Sequence, residues 1–233
     1  MSILYVVATP IGNLEDITLR ALRILKEADV VLCEDTRHTR KLLVAYGIAT
    51  PVESYHAQSS SGKAEKILTM LAEGKNLALV SDAGTPTISD PGSLLIKQIY
   101  KRFGNPPNGD VHVVPVPGPS ASLAALSASG IPSPSFLFLG FLPHKKGRDT
   151  LFREIVQSKR TVVFYESPHR IEKTFAMLVK HLRGSTDRTI SIGRELTKKF
   201  EEIVSGSAEE VALYFSNNPD HLKGEFVVVV SCG

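Results

Sequence analysis

Small polar side chains set among prolines and glycines recur at three places in the chain. They are Thr9-Pro10-Ile11-Gly12-Asn13, then Ser81-Asp82-Ala83-Gly84-Thr85-Pro86 running on to Ser89-Asp90-Pro91-Gly92, then Pro115-Val116-Pro117-Gly118-Pro119-Ser120. Each follows a short β-branched run and precedes a helical pattern. In a parallel sheet, loops of this kind gather at the carboxyl ends of the strands, where α/β folds bind ligands. Proline fixes φ and glycine lets backbone approach a ligand closely, so these loops read as rigid walls. They carry no Lys or Arg. The chemistry they suit is the holding of a small molecule that needs no cationic phosphate clamp.

The second half offers groups that could move a proton or grip an anion. Tyr165-Glu166-Ser167-Pro168-His169-Arg170 leaves a strand and enters a helical pattern. Glu166 stands where a strand-end ligand or base would stand, while Ser167-Pro168 reads equally as a capped helix start. His169 and Arg170 in a first helical turn oppose the macrodipole and invite an anionic partner. Gly193-Arg194-Glu195-Leu196 places a Glu and an Arg at another strand end, as ligand groups or as a plain surface ion pair.

The elements that must position these groups alternate almost throughout. Strands are expected at 3–8, 30–34, 52–55, 77–81 and 111–116, with helices at 17–28, 37–46, 63–73 and 94–102. Such βαβ alternation calls for a parallel sheet covered on both faces. The second half reads as helices at 120–129, 149–157, 169–182 and 208–215. Its strands are expected at 136–140, 161–165, 189–196, 200–205 and 226–231. The short gap after Glu195 makes 189–196 and 200–205 an antiparallel hairpin, and hence a mixed sheet. The fold class is therefore α/β with two domains, 1–116 and 117–233, the boundary near Pro117 and a ligand crevice between them. Residues 105–110 read as a turn-rich surface loop.

Composition narrows the field further. The 233 residues suffice for one large or two small domains. No segment approaches the ~18 apolar residues of a membrane span. Residues 3–8 are too short for a signal h-region and meet Pro10 at once. Cys33 and Cys232 form no framework and no metal spacing, so no metal site and a cytoplasmic location are expected. Residues 144–199 hold 14 Lys/Arg against 6 Asp/Glu, a local excess of +8, whereas residues 1–116 hold 12 of each. A one-sided excess across half a chain points to a phosphate-rich partner, against the plainer reading of a solvated surface. No Gly-x-Gly-x-x-Gly follows the first strand. Gly62-Lys63 lacks the preceding glycine and following hydroxyl of a phosphate loop, and there is no His-Glu-x-x-His, Cys-x-x-Cys or Gly-x-Ser-x-Gly.

Taken together, Thr9–Leu14, Cys33-Glu34-Asp35-Thr36-Arg37, Ser81–Pro86, Ile88–Gly92 and Pro117–Ala121 resemble the motifs of one family. Phe141–Arg148, Tyr165–Ile171, Arg194–Glu202 and Gly224–Val227 extend the match to nearly the whole chain. They are similar to the small-subunit ribosomal RNA methyltransferases of the tetrapyrrole methylase superfamily. The resemblance implies S-adenosylmethionine as methyl donor, and the 2′-hydroxyl of a decoding-centre cytidine in 16S rRNA as acceptor. It also implies a homodimer, with the cofactor folded into a cleft between two α/β domains. By that resemblance the cofactor meets Pro10, the second loop through Asp82, Gly84, Thr85 and Ile88, and Ser120 with Ala121. From the second domain come Glu166, Ser167, Gly193, Glu225 and Phe226.

Glu166 or His169 is then expected to deprotonate or orient the ribose, with Lys145, Lys146, Arg148 and Arg170 holding phosphates. Three features depart from the family pattern. Ala57-Gln58-Ser59-Ser60 follows Tyr55-His56 where an acidic, His/Asn-rich turn is common, Thr87 stands at a place often held by Gly, and many members continue beyond the position of Gly233. Two rival readings stay open. A tetrapyrrole C-methyltransferase would share the cofactor loops without needing the basic stretch. A non-catalytic RNA-binding assembly factor would use the charge but not the loops.

Overall fold

A computed structural model describes residues 1–56, 61–88, 92–105, 109–184 and 187–233. The Ala57–Ser60 departure, Ser89-Asp90-Pro91 and the middle of the 105–110 loop lie outside them. The chain divides into two compact units, Met1–Ser120 and Ala121–Gly233.

The first unit holds five parallel strands, β1 (Ser2–Val7), β2 (Val30–Cys33), β3 (Val52–Ser54), β4 (Leu77–Leu79) and β5 (Val111–Val116), in the order β3-β2-β4-β1-β5. Alternation along the strands sends side chains to two separate cores. Leu4, Leu32, Leu77 and Leu79 pack on one face with α3 (Ser61–Ala72) and α4 (Gly92–Phe103). Val7, Val31, Ala78 and Val80 pack on the other with α1 (Leu19–Glu27) and α2 (Thr36–Ala45). Both faces are covered, as a parallel sheet requires.

One helix starts later than its periodicity suggests. The Asn13 side chain accepts from the Glu15 N–H and caps a single 3₁₀ turn over Leu14–Asp16. Thr18 then accepts from Ala21 N–H and caps α1. Two good capping residues five apart split what reads as one helix into two starts.

The second unit begins with α5 (Ala121–Ala128) and holds a mixed sheet, ordered β6-β7-β10-β8-β9. Its strands are β6 (Phe136–Phe141), β7 (Thr161–Glu166), β8 (Ile190–Arg194), β9 (Glu202–Gly206) and β10 (Phe226–Val230). Among the described residues of this sheet only β6 and β7 pair in parallel; β8 and β9 form the expected antiparallel hairpin. Strand β10, the last in sequence, lies between β7 and β8. Its run Phe-Val-Val-Val-Val is buried at every position, as the central strand of a sheet covered on both sides must be. Helices α6 (Arg148–Gln157), α7 (Ile171–Leu182) and α8 (Ala208–Asn217) cover one face, and α5 lies against β7, β8 and β10. Among the described residues, no helix is long and apolar enough to cross a membrane.

Candidate active site

In the first unit the three Pro/Gly loops are knitted into one surface because β4, β1 and β5 are neighbours. Thr9 and Gly84 exchange backbone hydrogen bonds at 2.9 and 3.0 Å, and Thr9 Oγ1 donates to Ser81 O at 3.3 Å. Thr85 Oγ1 donates to Pro119 O at 3.1 Å, and Ala8 N–H to Val116 O at 3.2 Å. A fourth loop joins them: Asp35 N–H donates to Asp82 Oδ1 at 3.2 Å. Asp35 belongs to the Cys33–Arg37 motif, to which the sequence reading gave no cofactor contact.

Glycine is needed at two of these joints. Gly84 has φ 78°, and a Cβ there would stand 3.3 Å from Ile11 Cγ2 and 3.6 Å from Pro119 O. A Cβ on Gly118 would come within 3.0 Å of Ala8 Cβ. Of the residues expected to meet a cofactor, Gly84 is buried, Pro10, Thr85, Ser120 and Ala121 are half-buried, and Asp82 and Ile88 are exposed. The polar groups of the three Pro/Gly loops are carbonyls, amides, hydroxyls and the Asp82 carboxylate, and the fourth loop adds Asp35 ion-paired to the exposed Arg37. That donor set suits a ligand carrying hydroxyls and positive charge better than one carrying phosphates.

Thr87, the residue standing where glycine is common, has φ 73°. A β-branched side chain in the left-handed region is strained. The space for it exists because Gly92 has no side chain: a Cβ there would lie 2.7 Å from Thr87 Cγ2. Thr87→Gly should therefore raise stability by about 1 kcal/mol, the relief of left-handed strain less glycine's extra chain entropy. The midpoint of urea unfolding reads it. A lowered midpoint would mean that the methyl packing outweighs the strain.

In the second unit, strand register gathers the remaining expected residues at one sheet end. Glu166 pairs with Phe226, Phe226 with Arg194, and Arg194 with Glu202 across β7, β10, β8 and β9. Burial changes what each can do. The Phe226 ring is 2 % exposed and stacks edge-on to Phe215 in the core, which leaves only its backbone for a ligand. Gly193 is buried with Leu196 packed on it, while Ser167 is half-buried and Glu225 exposed.

Arg194 makes no surface pair with Glu195. It is buried and donates to Lys223 O at 2.8 Å, to Phe200 O at 3.2 Å and to Glu202 Oε1 at 3.3 Å. Glu195 instead takes φ 46° and accepts from Lys198 Nζ and from Glu225 N–H, both at 2.9 Å. Burial raises the Glu195 carboxyl, but the Lys198 ammonium and the Glu225 N–H outweigh it and hold the group below its usual range.

Glu166 requires the largest correction. Its side chain is fully buried. Oε2 accepts from Arg148 Nη2 and Thr174 Oγ1, each at 2.7 Å; Oε1 accepts from Ser167 N–H at 2.9 Å and lies 2.7 Å from Arg170 Nε as an ion pair, the Nε–H itself donating to Ser167 Oγ at 3.2 Å. Of the about four acceptor sites a carboxylate offers, three are taken by hydrogen bonds, and the Arg170 guanidinium lies against the remaining side. The Glu166 side chain is thus poorly placed as a base or as a direct cofactor ligand, which leaves its backbone for any contact with the donor. Arg148 and Arg170 are likewise only 12 % and 13 % exposed at the side chain and point inward, so neither is a free phosphate clamp. His169 is exposed in the turn before α7, which starts at Ile171 rather than at His169. Lys145 and Lys146 are exposed on the loop that leads into α6. Among the described residues, no three His, Cys, Asp or Glu side chains are grouped to hold a metal.

Comparison with known proteins adds a family. Residues 3–212 match the model of the Tetrapyrrole (Corrin/Porphyrin) Methylases. Ribosomal RNA small subunit methyltransferase I of Bacillus subtilis is 46 % identical over 231 residues, covering 99 % of this chain and 75 % of that protein. The protein of the same name from Vibrio cholerae is 46 % identical, over 98 % of this chain and 76 % of its own length. Among solved structures, a cobalt precorrin-4 methyltransferase superposes with a TM-score of 0.68 at 18 % identity, covering 99 % of this chain and 94 % of that one. Diphthine synthase gives 0.67 at 14 %, covering 99 % and 90 %. At such identities the two structures speak for the fold alone.

Proposed function

The chain belongs to the tetrapyrrole (corrin/porphyrin) methylase family, and from that premise we propose that it methylates small-subunit ribosomal RNA, at the 2′-hydroxyl of a decoding-centre cytidine. The observation that carries this reading is 46 % identity to an rRNA methyltransferase across 99 % of the chain. A tetrapyrrole as acceptor has behind it the name of the wider family and a structure at 18 % identity, against 46 % identity to an rRNA methyltransferase. A purely RNA-binding factor leaves the knitted loops of the first unit without a use. Transfer of labelled methyl groups to small subunits that lack the modification tests the proposal.

S-adenosylmethionine supplies a sulfonium-activated methyl group, and its chemistry fits the residues present. The adenosine and amino-acid parts suit the backbone groups of the Thr9, Gly84 and Pro119 loops, and the sulfonium charge suits three loops that carry Asp82 and no Lys or Arg, with Arg37 of the neighbouring loop neutralised by Asp35. Holding two reactants in line supplies most of the acceleration such a transfer needs. The exposed cations Lys145 and Lys146 suit the phosphates of the RNA. The same reading carries a homodimer and a cytoplasmic location, the first measurable by sedimentation.

With the Glu166 carboxylate so engaged, His169 becomes the candidate for taking the ribose proton. His169→Ala should lower kcat by about 10²-fold, the lower range for loss of a general base, with donor affinity unchanged. Near-normal turnover would assign the reaction to positioning and desolvation alone.

A further inference from the structure

Glu166 is a carboxylate buried between two guanidinium groups, and no step of the reaction proposed above uses it. Those guanidiniums do more than neutralise it. Arg148 Nη1 donates to Pro143 O at 3.0 Å, and Arg170 Nη1 donates to Leu142 O at 2.8 Å. Two consecutive carbonyls at the start of one loop are each gripped by an arginine that also grips Glu166. The loop's far end is held as well, since Arg148 is the first residue of α6 and its guanidinium lies 5.3 Å over the Phe152 ring. Between these anchors stand His144, Lys145, Lys146 and Gly147, all exposed, with Gly147 at φ 79° to complete the turn.

Burying one carboxylate and two guanidiniums is a costly way to gain stability, because desolvation offsets most of the ion-pair attraction. Apolar side chains could join β7 to α7 at less cost. What they could not do is hold two loop carbonyls at fixed positions. Thr174 completes the arrangement, its hydroxyl donating to Glu166 while accepting from Arg148 Nη2 at 2.6 Å. Glu166 also ends β7 and pairs in register with Phe226, so the clamp is tied to the sheet end that carries Gly193 and Glu225.

We propose that Glu166 is a positioning residue, the anchor of a two-arginine clamp that fixes the Leu142–Gly147 loop and presents Lys145 and Lys146 to RNA phosphates as a preset pair. The RNA part rests on the function proposed above; the clamp itself does not. The Glu166 side chain touches neither donor nor acceptor. Its carboxylate sets the loop, and the loop meets the substrate.

Two measurements on the intact protein separate these claims. Trypsin can cut after Lys145 and Lys146 only when the loop opens, so Glu166→Gln should speed cleavage there about tenfold or more while other sites keep their rates. In steady-state transfer to small subunits, Glu166→Gln should raise KM about tenfold, leave kcat within about threefold and leave the calorimetric Kd for S-adenosylmethionine unchanged. Should that variant fail to fold, Arg170→Lys keeps the charge, loses the fork to Leu142 O, and is expected to give the same three readings. Unchanged cleavage at the loop would overturn the clamp. A rise in donor Kd with RNA KM unmoved would also overturn it, making Glu166 part of the donor site. If the wild-type protein methylates no RNA, the function falls while the cleavage pattern still decides the clamp.

Discussion

Gly84→Val should abolish measurable S-adenosylmethionine binding at concentrations that saturate the wild-type protein, while the chain remains folded. Gly84 has φ 78° and exchanges both of its backbone hydrogen bonds with Thr9. Valine there would bear the left-handed penalty of about 1–2 kcal/mol. Contact of its Cβ with Ile11 and with the Pro119 carbonyl adds overpacking of about 1–3 kcal/mol. The sum is smaller than the typical ~5–15 kcal/mol stability of a folded protein, so the loops should shift before the unit unfolds. Loss of about 10²-fold in affinity follows from disrupting loops that act by backbone placement. Gly47 is the control, with φ 64° and open space around its Cβ position. Gly47→Ala should cost about 1 kcal/mol and leave donor binding intact. Equal loss of binding in both variants would mean that the Gly84 effect is only instability.

The second large effect concerns the acceptor. Replacing Lys145 and Lys146 together by glutamate should weaken RNA binding about 100-fold near 0.1 M salt. It should also flatten the dependence of log K on log salt by about 1.5, the share of two lost phosphate contacts. Both lysines are exposed, so folding should be untouched. An unchanged slope would move the RNA surface away from this loop. Donor affinity, read by calorimetry, is expected to stay as it was.

Much of this architecture is legible in the sequence because local periodicity and punctuation are strong. The parallel strands of the first unit read as short β-branched runs, and the Pro/Gly loops at their ends read as ligand walls. The structure then shows why three loops distant in sequence act as one: β4, β1 and β5 are adjacent. That adjacency is a long-range property, and no window of sequence contains it. The same limit hides the place of β10, whose apolar run marks a buried strand but not its position between β7 and β8.

Glu166 marks the other boundary. Its strand-end position is readable, and a carboxylate there suggests catalysis. Its engagement by Arg148, 18 residues upstream, and by Arg170 is not readable, because a free base and a buried anchor look alike in one dimension. Thr87 shows the reverse. A residue type unusual at its place in the motif coincides with a positive φ, so the resemblance located a strained position that propensity alone would miss.

Methyl transfer to the ribose of one cytidine in small-subunit rRNA is the reaction to be tested. The most direct measurement incubates the protein with labelled S-adenosylmethionine and small subunits lacking the modification, followed by alkaline hydrolysis and mapping of the label. A methylated 2′-oxygen cannot attack the neighbouring phosphodiester. The labelled cytidine should therefore emerge in an alkali-resistant dinucleotide, from a single decoding-centre position. Label recovered on a base, scattered over many nucleotides, or passed only to a uroporphyrinogen or precorrin offered in parallel would contradict the account.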